Sequence, residues 1–149
     1  MTGAYSRIAN AKGIDYIRTN SRPYIFAASV PPAQIAVATA ALEYLMAHPE
    51  LPGQLLDIAR YMREKLLAAG IKIIMSDTPI IPIYTYEPIK TLRVQKELYE
   101  RGVYVNATLP PACAPGECLL RCSLMATHTK ALVDEATDII IDVIRNYEE

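Results

Sequence analysis

The chain has 149 residues, enough for one sizeable core, and 15 Lys and Arg stand against 16 Asp and Glu. So balanced a charge gives no strong field toward nucleic acid or an anionic membrane. Every apolar run is cut by Pro, Lys or Thr short of a bilayer span, and "MTGAYSRIANAKG" lacks a signal-peptide core, so a cytoplasmic protein without a transmembrane segment is expected.

The first thirty residues show weak periodicity and scattered arginines, and residues 1–31 read as the edge of something larger. From Pro32, "PAQIAVATAALEYLMAH" has Ile35, Thr39, Leu42 and Met46 at helical spacing, with prolines where a first turn tolerates them. It predicts a long connecting helix within residues 32–50, ended by "PELPG". Residues 51–149 read as a small α/β domain. In it a helix is predicted from Gln54 to Ala69, with Leu55, Ile58, Ala59, Met62 and Leu66 on one stripe and Gly70 as its stop. "IKIIM" predicts a strand, and "PIIPIYTYE" a second one whose Pro79 and Pro82 confine it to an edge or an irregular start.

A helix over Ile89–Glu100 closes at Gly102, "VYVN" predicts a short strand, and "ATLPPACAPGE" a stiff loop. "CLLRCSLM" is the last predicted strand. The final helix carries a broad apolar face from Leu132 to Tyr147, with Asp134, Glu135, Asp138, Asp142 and Arg145 read as solvated. The expected fold is α+β: three or four mostly antiparallel strands covered mainly on one face by helices. Cys113, Cys118 and Cys122 match neither a zinc nor a CxxC redox spacing and read as free thiols, and no metal is expected.

Within the last strand, alternation puts Cys118, Leu120, Cys122 and Leu124 on one face and Leu119, Arg121, Ser123 and Met125 on the other. A guanidinium there must reach water, an acid such as Glu117 or Glu87, or an anionic ligand, since an unpaired buried charge costs several kcal/mol. Arg121 on a rigid strand can grip a carboxylate with two parallel hydrogen bonds, the chemistry of amino- or keto-acid recognition. Three readings follow from the residues alone: an internal salt bridge, a carboxylate clamp, or plain exposure.

Five segments in order, "GAY" (3–5), "IDYIRTNSRPYIFAASVPPA" (14–33), "TPIIPI" (78–83), "ERGVYVNATLPPACAP" (100–115) and "LLRCSLMATHT" (119–129), resemble the C-terminal part of the α-oxoamine synthases. These are pyridoxal-phosphate enzymes that join an amino acid to an acyl-CoA with loss of CO2 and CoA. The last two segments look most like the serine palmitoyltransferase branch. The resemblance implies the small C-terminal domain of a fold-type-I enzyme acting as a homodimer, with Arg121 binding the substrate carboxylate. It also implies a mobile segment at Thr108–Pro115 that closes over substrate, against the plain alternative of a rigid connector. His128 reads as structural, and Thr127 or Thr129 as the cap of the last helix.

Two departures from the family pattern stand out. The cofactor lysine lies just upstream of the segment resembled by "GAY", and none of Lys12, Lys65, Lys72, Lys90, Lys96 or Lys130 sits in a matching context, so the chain alone is expected to lack a Schiff base and activity. Where relatives place a hydroxyl for the cofactor phosphate, this chain has Ala27 and Ala28; Ser29 is the nearest hydroxyl and the one cofactor-binding candidate. The alternative to an enzyme segment is a free-standing carboxylate-binding or dimerisation module.

Overall fold

A computed structural model describes residues 11–27 and 29–147, so "GAY" and Ala28 lie outside the described residues. The chain divides between Met46 and Ala47 into two compact units. The first holds α1 (Ala11–Asn20), α2 (Arg22–Ile25) and most of α3 (Pro32–Ala47). The weak periodicity before Pro32 therefore hides two helices. None of the three helices contains a buried residue, and Val37, Leu42 and Met46 on α3 are 70%, 59% and 74% exposed.

The second unit runs α4 (Leu51–Ala68), β1 (Ile80–Tyr86), α5 (Pro88–Glu100), β2 (Asn106–Thr108), β3 (Cys118–Ser123) and α6 (Lys130–Asn146). The strands form one antiparallel sheet in the order β1-β3-β2. Its inner face, with Ile81, Ile83, Leu120 and Cys122, meets a core that includes Met62, Leu66, Val94, Leu98, Ile140 and Val143 from the three helices. Fully burying side chains of this kind contributes about 1.5–3 kcal/mol each. The other face of the sheet carries no helix of this unit, and its side chains are half-buried or exposed.

Glycines set two of the turns back into this core. Gly70 and Gly102 adopt φ of 82° and 88°, a conformation that glycine takes without steric cost. After α4, Ile71 N donates to Leu66 O and Gly70 N to Leu67 O; after α5, Val103 N donates to Leu98 O and Gly102 N to Tyr99 O. Both are Schellman endings, and each seats the next apolar residue in the core.

Three predicted elements differ from the structure. Helix α4 begins at Leu51 rather than Gln54, because Pro52 and Gly53 fit its first turn, where no intrahelical donor is lost. "IKIIM" is not a strand: only Ile73 bridges to Ile83. Ile74 N donates to Pro82 O at 2.9 Å, but Pro82 has no N–H to return, so the ladder stops there. In "VYVN" only Asn106 is in a strand, and β2 is Asn106–Thr108; Val103 and Val105 sink into the core outside the ladder.

On helix α6, Glu135, Asp138, Asp142 and Arg145 are exposed, as the solvated-face reading expects, and Asp134 is half-buried. Asp134 accepts from Lys65 Nζ at 2.6 Å and from Tyr61 Oη at 2.7 Å, Asp142 accepts from Arg101 at 2.6 Å, and Arg145 donates to Ala69 O at 3.1 Å. These polar ties pin α6 to α4, to the turn after it and to the end of α5. Of the two cap candidates, Thr129 Oγ1 accepts from Leu132 N at 3.3 Å, while His128 Nδ1 accepts from Met125 N at 3.3 Å.

Candidate functional site on the open sheet face

The open face is built by strand alternation. Ile80, Pro82 and Tyr84 of β1 lie opposite Ser123, Arg121 and Leu119 of β3, and on the far side Asn106 and Thr108 of β2 lie opposite Arg121 and Leu119. Among the described strand residues Arg121 is thus the one cation on this face, at the middle strand between Pro82 and Asn106. Pro82 turns its carbonyl toward Ile74, so Pro82 and Arg121 form a non-hydrogen-bonded pair, the closer of the two antiparallel pairings. Tyr84 and Tyr86 stack with centroids 5.3 Å apart and planes 5° apart, bordering the face with a rigid aromatic wall.

The Arg121 side chain is exposed and makes no hydrogen bond or salt bridge to any described residue. Neither Glu87 nor Glu117 pairs with it, so no salt bridge among the described residues accounts for this arginine. A guanidinium keeps its charge at any working pH and offers its donors in a fixed fork. Beside it, Asn106 Oδ1 accepts from Tyr104 Oη at 3.2 Å, which leaves the Asn106 amide N–H groups to donate. Chemically the face can bind one carboxylate.

The Thr108–Pro115 loop leaves β2 directly from this face. Ala112 N donates to Leu109 O at 2.8 Å, and the Cys113 thiol donates to Thr108 O at 3.5 Å, folding the loop back on its own start. Burial pushes the Cys113 thiol above its usual pKa, with a smaller contribution from Cys118. Cys122, on the inner face, is pushed up to about 11 by burial. All three cysteines are free, and no metal-ligating cluster exists among the described residues.

The sequence is matched over residues 1–140 by the family described as aminotransferase class I and II. The chain belongs to that family. Within it, the chain is an α-oxoamine synthase segment: serine palmitoyltransferase of Bacteroides thetaiotaomicron is 38% identical over 92% of this chain. The 8-amino-7-oxononanoate synthase of Citrifermentans bemidjiense is 39% identical over 95% of it. The chain spans only about a third of such relatives, 35% and 36% of their lengths.

Among solved family structures, a variant of serine palmitoyltransferase from S. paucimobilis with a bound PLP–myriocin aldimine matches at a TM-score of 0.81 and 30% identity, over 94% of this chain and 36% of that one. The 8-amino-7-oxononanoate synthase of Francisella tularensis matches at 0.73 over 95% of this chain and 41% of that one, and its 20% identity makes this a likeness of fold. The three-stranded sheet with its helices is thus the fold of the corresponding part of these PLP-dependent proteins.

Three of the segment's lysines have partners of their own. No lysine lies on any of the three strands. Lys65 is held by Asp134 and Asp138, and the bond to Asp134 raises its pKa, opposite to what an amine nucleophile needs. Lys96 lies 3.7 Å from Glu100, and Lys130 stands 5.2 Å over the Tyr61 ring. Ser29, in the first unit, is exposed and its hydroxyl makes no hydrogen bond among the described residues. The open face presents the Arg121 guanidinium with the Asn106 amide opposite it. Sequence reasoning missed Asn106 opposite Arg121 and the Tyr104 bond to it; the register that joins Asn106 and Arg121 crosses a loop of three prolines and is invisible to local pattern.

Proposed function

We propose that this chain forms the substrate-carboxylate side of an α-oxoamine synthase that condenses an amino acid with an acyl-CoA, releasing CO2 and CoA. The observation that carries it is the unpaired Arg121 guanidinium on an uncovered sheet face. Arg121 orients the amino acid through two charge-assisted hydrogen bonds, each contributing about 1.5–3 kcal/mol. The Thr108–Pro115 loop, rooted in the neighbouring strand, closes over the substrate and shapes the acyl entrance.

When bound in the whole protein, pyridoxal phosphate supplies the electron sink for a carbanion. Ser29 is the residue of this chain proposed to approach its phosphate. The first unit belongs with a larger cofactor domain and its partner subunit in a homodimer, which explains a helix as apolar as α3 with no buried residue. No described helix is long and apolar enough to cross a membrane.

A graft tests this reading. The segment replaces the corresponding third of the B. thetaiotaomicron serine palmitoyltransferase, and condensation is followed as CoA release. The graft is expected to turn over, and Arg121→Ala in it to raise the amino-acid KM about 100-fold or more while leaving the acyl-CoA KM unchanged. A folded, PLP-loaded graft that releases no CoA, or an Arg121→Ala graft with unaltered KM, would overturn the proposal.

A further inference from the structure

A second charged site lies on the helical side of the second unit, away from the open face. Residues Arg60, Arg63, Glu64 and Leu67 of α4 and Met75, Ser76 and Asp77 of the following loop line a cavity of about 360 Å³. Arg63 is 8% exposed and brings a guanidinium with five N–H donors to the cavity wall. Its Nη2 donates to Thr78 O at 2.7 Å, and its Nε is sealed from solvent without an acceptor. No carboxylate among the described residues lies within salt-bridge distance of it. The guanidinium N–H groups of Arg63 other than Nε remain to meet an anionic group in the cavity.

The lining also carries the opposite charge. Glu64 and Asp77 face the same cavity, and neither makes a hydrogen bond or ion pair with a described residue, whereas Arg60 is already engaged with Asp57 at 3.3 Å. Two unpaired carboxylates would repel a multiply charged anion such as phosphate. They would hold an ammonium. A cavity that offers one uncompensated guanidinium, two free carboxylates and the Ser76 hydroxyl complements a small zwitterion.

We propose that this cavity binds a free α-amino acid, its carboxylate on Arg63 and its ammonium on Asp77 and Glu64. The site is separate from Arg121, which lies on the opposite face of the sheet, and does not depend on the function proposed above. Bound there, the amino acid joins α4 to the loop that leads into β1, the strand beside Arg121, so occupancy stiffens the edge of the open face.

The test uses the 149-residue chain carrying Arg121→Ala, which silences the other candidate site, with 15N-labelled arginine. Titration with glycine is expected to shift the Arg63 Nε–H resonance saturably, with acetate and ethylamine at least tenfold weaker. Asp77→Asn, an exposed loop substitution that spares the core, is expected to weaken glycine at least tenfold while the thermal midpoint stays within a few degrees. The proposal is overturned by an unmoved Arg63 signal at high glycine, by acetate binding as well as glycine, or by Asp77→Asn binding glycine like the parent.

Discussion

Thr85 and Thr91 share a 2.6 Å hydrogen bond inside the core, tying the end of β1 to α5. The same Thr85 hydroxyl reaches Cys118 O at 3.2 Å, and Thr91 reaches Glu87 O at 2.7 Å, so two protons serve three contacts among groups sealed from water. Both threonines are at most 1% exposed. Replacing Thr85 with Val keeps the shape but strands a buried acceptor, which costs about 1–3 kcal/mol. Thermal unfolding of Thr85→Val should shift down by roughly 5–15 °C. Thr85→Val/Thr91→Val should recover part of that loss; a double variant worse than the sum of the singles would contradict the pairing.

The Lys65–Asp134–Tyr61 cluster should write itself into the acid and alkaline limbs of stability. Its hydrogen bonds, from Lys65 first and then Tyr61, hold the Asp134 carboxyl below 3.8, while bonding to Asp134 raises Lys65 above 10.5 and Tyr61 above 10.0. For Asp134 the folded pKa is depressed, so its contribution is present above 3.8 and lost as pH falls through the lower folded value. For Lys65 and Tyr61 the folded pKa is raised, so theirs is present below about 10 and lost as pH climbs past it. Urea midpoints against pH should fall less steeply in Asp134→Asn at both ends. Parallel curves for the two proteins would show that the cluster contributes nothing.

Cysteine reactivity should follow burial. With its pKa near 11, Cys122 carries almost no thiolate at pH 8, and Cys118 is fully buried. A disulfide reagent should therefore modify Cys113 first, despite its own raised pKa, and reach the other two only at the rate of unfolding. Mass mapping that finds Cys122 modified first would contradict the inner-face register of β3.

The α3 surface should drive association. Scattering-detected gel filtration is expected to show the chain growing beyond a monomer with concentration, and Val37→Glu with Leu42→Glu to reverse it. A monomer at every concentration would leave the proposed homodimer without support from this helix.

Much of the second unit was legible because its cues are local. Gly70 and Gly102 mark helix ends through backbone conformation, Pro82 marks an edge strand through its missing donor, and the alternation of β3 puts Arg121 outward. The strand misread at "IKIIM" shows the limit: apolar β-branched residues were there, but the partner's Pro82 allowed a single bridge. Asp134 read as a surface charge because helical spacing places a residue on a stripe without saying what the neighbouring element brings. Lys65 lies 69 positions from Asp134, and only tertiary structure joins them. The resemblance in "LLRCSLMATHT" pointed to Arg121 as a carboxylate ligand; the register adds its neighbours, Pro82 and Asn106.

The most direct probe of the central idea is the Arg121 guanidinium itself, read by the Nε–H resonance of 15N-arginine-labelled chain during titration with serine and, separately, with serinamide. A shift that saturates with serine, is absent with serinamide and disappears from the spectrum of Arg121→Lys is the predicted result. Equal responses to acid and amide, or an Arg121 signal indifferent to both, would contradict a carboxylate grip on this sheet.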